Sequence, residues 1–220
     1  MRPVEKLQNV IQNNPHLAKM NGGILYSSVE TLKEGKFYFL GVNPGGTGGA
    51  LIDFDTESTL NDYIDAAWQK NKNAFYDEGK APLQMRVQNL FKALGVDIRT
   101  VCASNLIFQQ TQNIRQLSDI YSLADQCFPI HQCIIDEIVK PKYILSMGKT
   151  VYDYFVDKQG YEPTQAFLAG HGSWTIRIAK KDQRILINLP HLSYYDPFSY
   201  SESTKEAKCQ AIARLKESLI

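Results

Sequence analysis

After Lys36 the run Phe37-Tyr38-Phe39-Leu40-Gly41-Val42 is apolar with no polar alternation, and it stops abruptly at Asn43-Pro44, followed by Gly45-Gly46-Thr47-Gly48-Gly49. A strand that is apolar on both faces must be covered on both faces, which is the habit of parallel sheets in α/β proteins. Asparagine in such a setting costs free energy unless its amide is hydrogen-bonded, and proline cannot donate to a ladder, so pairing stops where Asn43 emerges. The glycines let backbone approach a ligand closely. The segment reads as a buried strand that delivers one polar side chain to a pocket.

Other short apolar runs repeat this design. Thr100 to Phe108 opens into the polar loop Gln109-Gln110-Thr111-Gln112-Asn113, and Tyr143 to Met147 runs into Gly148-Lys149-Thr150, which begins a helix. Thr175–Ala179 and Arg184–Leu189 flank Lys180-Lys181-Asp182-Gln183 as a hairpin. Helical spacing is found in Val4, Leu7 and Ile11. It recurs after Ser58 in Leu60, Tyr63, Ile64, Ala67 and Trp68, and from Pro82 to Leu94 with Gly95 as the stop. A further helical region runs from Ser118 or Asp119 to Val139 with a break or fresh start at Pro129, and the last runs from Ser201 or Ser203 to Leu219. Gln69 to Lys80 reads as a polar loop.

Strands alternating with helices predict a three-layer α/β/α fold with a central, mostly parallel sheet. The length of 220 residues and 44% hydrophobic content suit one domain over residues 1–220. Ligands of such sheets bind at the carboxyl ends of the strands, which selects Asn43, the stretch Asn105 to Gln110, Gly148 and His191.

Charge and cysteine usage narrow the chemistry. A net charge of +1 gives no global basic field, so contact with nucleic acid has to come from a local patch. The cysteines at 102, 127, 133 and 209 form no Cys-x-x-Cys, which argues against an iron–sulfur cluster or a zinc knuckle. Cys127, His131 and Cys133 leave two readings open, a metal site or small buried side chains. With no apolar signal region at the N-terminus and no run of about 18 apolar residues, the expectation is an intracellular, cytoplasmic protein with no membrane partner.

Two phosphate-binding motifs fail on inspection. A P-loop ending in Gly148-Lys149-Thr150 needs glycine where Tyr143 stands, and a dinucleotide fingerprint from Gly46-Thr47-Gly48 needs glycine at Leu51. Three strand ends carry a better signal. Leu40-Gly41-Val42-Asn43-Pro44-Gly45 resembles the first motif of the uracil-DNA glycosylase superfamily, in the Gly-x-Asn-Pro-Gly form of its single-strand-selective and mismatch-specific branches. Ile187-Asn188-Leu189-Pro190-His191-Leu192-Ser193 resembles its last motif, and Ser104-Asn105-Leu106 matches the place where the superfamily puts a base-reading asparagine. The overall likeness is to the single-strand-selective monofunctional branch.

That resemblance implies a DNA glycosylase of base excision repair, acting as a monomer on a base flipped out of DNA, with no metal and no cofactor. Asn43 would position the attacking water, His191 would stabilise the departing base anion, and Asn105 would read the base. Gly41, Pro44 and Gly45 would shape the pocket, Phe54 would stack on the base, and Ser193 and Tyr194 would contact substrate from the last motif. Tyr63 and Phe108 compete with Phe54 as the stacking aromatic, Tyr195 competes with Tyr194 as a wedge, and His171 is a candidate phosphate contact. The chain departs from the pattern at Leu192, where proline is usual, in the Gly46 to Gly49 continuation, and in lacking a basic residue after His191. Asp53, Asp55 and Glu57 would repel phosphate. Two other readings therefore stand: a non-catalytic nucleotide- or nucleic-acid-binding protein of the same fold, and a hydrolase of free modified nucleosides.

Overall fold

The computed structural model describes residues 1–45, 49–111, 114–199, 201 and 203–219. Strand β1, Phe37–Gly41, is buried along its whole length. Its side chains divide between two cores as the strand's period of two requires. Tyr38 and Leu40 face one apolar cluster, built with helices α1 (Pro3–Gln12), α2 (Pro15–Ala18), α4 (Ile120–Gln132) and α5 (Lys149–Gln159). Phe37 and Phe39 face the other, built with α3 (Pro82–Ala93) and α6 (Lys205–Glu217). The protein is thus α/β, with a mostly parallel six-stranded sheet flanked by helices.

The remaining strands of the central sheet are β4 (Cys102–Asn105), β5 (Tyr143–Met147), β6 (Glu162–Leu168), β7 (Thr175–Lys181) and β8 (Arg184–Leu189), and the spatial order is β4-β1-β5-β8-β7-β6. The first four run parallel, β7 runs antiparallel to β8, and β6, antiparallel to β7, points the same way as the first four. The chain leaves β1 for β4 on one side and later reaches β5 on the other, so the β1/β5 boundary is the switch point where such sheets open a crevice. In register, Gly41 lies opposite Asn105 and Ser146 opposite Asn188. The carboxyl ends of four strands therefore meet along one edge. No helix among the described residues is long and apolar enough to cross a membrane.

Several expectations need correction. The Ser58-capped helix is replaced by turns and by a small hairpin, β2 (Gln69–Asn71) with β3 (Ala74–Phe75), inside the stretch read as a loop. The cause is tertiary: Gln84 Nε2 donates to the carbonyls of Asp62 and Ala66 at 2.5 and 2.8 Å, and Gln88 Nε2 to those of Tyr63 and Gly79 at 2.6 and 2.8 Å. Side-chain amides of α3 occupy carbonyls that a helix there would need for itself. Strand β6 gives no core-run signal in the sequence, because Pro163 and an exposed face are marks of an edge strand. Pro129 lies inside α4 rather than breaking it, and the chain continues from Cys133 to Ile138 as a π-helix. The final helix starts after Thr204, beyond both serines considered as caps.

Candidate active site

Asn43 stands two residues beyond β1 and is half-buried. Its Nδ2 donates to the Pro44 carbonyl at 3.1 Å and to Thr111 Oγ1 at 2.8 Å. A carbonyl only accepts, so the amide orientation is fixed and Oδ1 is left as an acceptor with no partner among the described residues. Thr111 N–H also donates to the Pro44 carbonyl at 3.1 Å, clasping the loop after β1 to the loop after β4. Pro44 is buried, while Gly45 is exposed with open space about it. Gly46, Thr47 and Gly48 lie outside the described residues.

Asn105 closes β4 and is only 5% exposed, yet its amide has no hydrogen-bond partner among the described residues. A Cβ on Gly41 would run into Asn105 Oδ1 and come within 3.1 Å of Met147 Cε. Glycine at 41 therefore lets the Asn105 side chain lie over the end of β1 beside β5. An amide at a strand end with no protein partner is free to pair with water or a ligand.

His191 follows β8 and Pro190. Its Nδ1 accepts from the Ser193 backbone N–H at 3.1 Å, which puts the proton of the neutral ring on Nε2. Burial pushes its pKa below the ordinary histidine value, favouring that neutral form. Gly148, at φ 91°, sits between His191 and Val42: a Cβ there would lie 3.2 Å from His191 Cδ2 and 3.3 Å from Val42 Cγ2. From α3, Arg86 Nη1 donates to the carbonyls of Leu192 and Ser193 at 2.7 and 2.8 Å, fixing the loop that carries the histidine. Just below, Ser146 Oγ donates to Asn188 Oδ1 at 3.0 Å and ties β5 to β8.

The structure thus gathers Asn43, Asn105 and His191 around the three-residue exit Gly41-Val42-Asn43. Ser193 contributes through its backbone. Phe54 is elsewhere, in the wall of a separate cavity whose lining includes none of the three. Tyr194 is 80% exposed, its ring 6.0 Å from that of His191. Tyr63 packs edge-on against Phe39, Phe108 is fully buried, and Tyr195 is buried with its hydroxyl donating to the Ala169 carbonyl at 2.6 Å, so all three are core side chains. His171 lies edge-on to Trp174 at 4.8 Å.

Of the two readings of Cys127, His131 and Cys133, the structure shows small buried side chains. Both nitrogens of the fully buried His131 are taken, one by Tyr38 Oη at 2.8 Å and one by the Leu106 carbonyl at 3.1 Å, and Cys127 Sγ accepts from Phe108 N–H at 3.4 Å. Thr111 and Arg86 are the residues that sequence reasoning missed. Thr111 was within reach, as a hydroxyl in the polar loop after a strand end, whereas Arg86 on a helix gives no such signal.

Neither a protein-family model nor a curated protein matches this chain. The likeness to glycosylases rests on the three strand-end motifs alone.

Proposed function

We propose that this protein is a monofunctional DNA glycosylase of the uracil-DNA glycosylase type, hydrolysing the N-glycosidic bond of uracil or a related damaged base in DNA as the first step of base excision repair. The observation that carries the proposal is the set of complementary vacancies around one strand exit: a free acceptor on Asn43, an amide on Asn105 without a partner among the described residues, and a neutral Nε2–H on His191.

Each vacancy matches one need of the reaction. Breaking the bond between C1′ and the base sends the electron pair to the base and leaves positive charge on the sugar. A water donating to Asn43 Oδ1, with Thr111 and Pro44 holding the amide, adds its oxygen to C1′ and releases a proton to solvent. An amide is a poor base, so the leaving group departs as an anion and the burden shifts to its stabilisation. His191 Nε2–H donates to the base oxygen where that charge collects, a contribution of about 3 kcal/mol. The Asn105 amide donates to uracil O4 and accepts from N3–H, a pattern that cytosine does not offer. The base reaches the crevice by extrusion from the strand.

Single-turnover release of base from uracil-containing single- and double-stranded oligonucleotides tests the proposal. The native protein should release uracil, and His191→Ala should slow release by about 10²–10³-fold. No release by the native protein, or an unaffected variant, ends the catalytic reading. The absence of a basic residue after His191 and the net charge of +1 favour a second reading, hydrolysis of free nucleosides. Activity on deoxyuridine but not on oligonucleotides would select it, and uracil binding without turnover would select a non-catalytic role.

A further inference from the structure

A cavity of about 260 Å³ lies between the segment running from Gly22 to Val29 and the segment running from Gly49 to Asp62, apart from the crevice just described. Its walls are preformed. Gly22 N–H donates to the Gly49 carbonyl at 2.8 Å, Val29 N–H to the Ser58 carbonyl at 2.9 Å, and Asp62 N–H to the Tyr26 carbonyl at 3.1 Å, so backbone hydrogen bonds lock the two segments together at both ends. Glycine backbone at Gly23 and Gly49 lines part of the surface, and Phe54 and Leu60 supply apolar side chains.

One polar side chain in this lining is out of place. The Asp62 carboxylate has no hydrogen bond and no ion pair among the described residues, and burial together with neighbouring Asp65 pushes its pKa up to about 6. The neighbouring carboxylate of Asp65 is held by Arg99 through both terminal guanidinium nitrogens at 2.7 and 3.0 Å. Desolvating a carboxylate without a partner is costly, and an external cation removes that cost. Asp53 and Asp55 in the same lining add negative potential that attracts cations and repels phosphate.

We infer that this cavity binds a compact organic cation, an amidinium, guanidinium or primary ammonium group carried on a flat or aliphatic body. Asp62 receives the charged head, and Phe54 and Leu60 cover the body. Convergence of one charged group with apolar walls in a preformed cavity is the usual makeup of a small-molecule site. The inference is independent of the glycosylase reading, since the cavity shares no residue with Asn43, Asn105 or His191.

Benzamidine serves as the probe, with benzamide as its neutral isostere and benzoate as its anionic one, each titrated into the full chain at pH 7.5 and followed by amide chemical shifts. Benzamidine should shift residues of the two wall segments saturably, benzamide should bind at least tenfold more weakly, and benzoate should not bind. Asp62→Asn should weaken benzamidine at least tenfold. Leu60→Trp, at a side chain that is 58% exposed, should block the cavity while leaving the carboxylate in place, which keeps the test decisive if Asp62→Asn fails to fold. Equal binding of benzamide, no saturable benzamidine binding, or benzamidine binding unaffected by Leu60→Trp would each overturn the inference.

Discussion

The core beneath the end of β4 and the crevice above β5 each contain a histidine, and the two are left in opposite states. His131, on α4, uses both ring nitrogens: Nε2–H donates to the Leu106 carbonyl and Nδ1 accepts from the Tyr38 hydroxyl, with the Phe108 ring 4.9 Å away. His191 uses only Nδ1 and keeps Nε2–H for a partner that the described residues do not supply. Asparagines divide in the same way, Asn188 being paired with Ser146 while Asn105 is buried and unpaired. The two core side chains, His131 and Asn188, have their hydrogen bonds satisfied, although the hydroxyl of buried Tyr143 finds no partner among the described residues. At the strand ends the donors and acceptors left over define the chemistry that can be done there.

The contrast breaks most easily at the histidines. Replacing His131 by alanine leaves a cavity, an unpaired Leu106 carbonyl and an unpaired Tyr38 hydroxyl, and should destabilise the fold by about 3 kcal/mol. His191→Ala should cost less than about 1 kcal/mol, because only one protein hydrogen bond is lost. Urea unfolding of both variants measures the difference, and equal losses would erase the division between core and crevice.

Acid should sharpen it next. Burial pushes the His131 pKa down to about 4. The unfolded chain takes up a proton at this residue below about pH 6.5, while the folded protein does not until about pH 4. Its contribution to stability is therefore intact above about pH 6.5 and declines as the pH falls toward 4, with a slope of up to about 1.4 kcal/mol per pH unit. Unfolding midpoints taken across this window should show that slope in the native protein, and His131→Gln should flatten it. A slope unchanged in the variant would assign it to carboxylates instead.

The smallest effect concerns the clasp on the crevice side. Thr111→Val removes the 2.8 Å acceptor of Asn43 Nδ2 while keeping the side chain's volume. One neutral hydrogen bond corresponds to about 1 kcal/mol, so base release should slow by about fivefold with substrate affinity little changed. A rate equal to that of the native protein would show that Pro44 alone orients the amide.

Much of this architecture was legible in the chain. β5 was read at its observed limits and β1 to within one residue, because apolar runs bounded by Asn-Pro or glycine admit few other structures. α3 was legible from Pro82 at its start and Gly95 just past its end, where φ is 70°. The stretch from Ser58 to Lys80 was not, because two glutamines on another element decide which of its carbonyls are free. The expectation for Phe54 rests on its distance along the chain, and chain distance says nothing about which cavity a side chain enters.

What the sequence alone determined is the set of strand-end residue types, Asn43, Asn105 and His191, and the glycines beside them, since backbone periodicity and the habits of proline and glycine are local. Only the tertiary structure decided that Gly41 makes room for Asn105, that Gly148 makes room for His191, and that His131 is locked while His191 keeps a free donor. Those outcomes depend on which hydrogen-bonding groups remain unpaired after residues distant in sequence have packed together, and no local pattern carries that information.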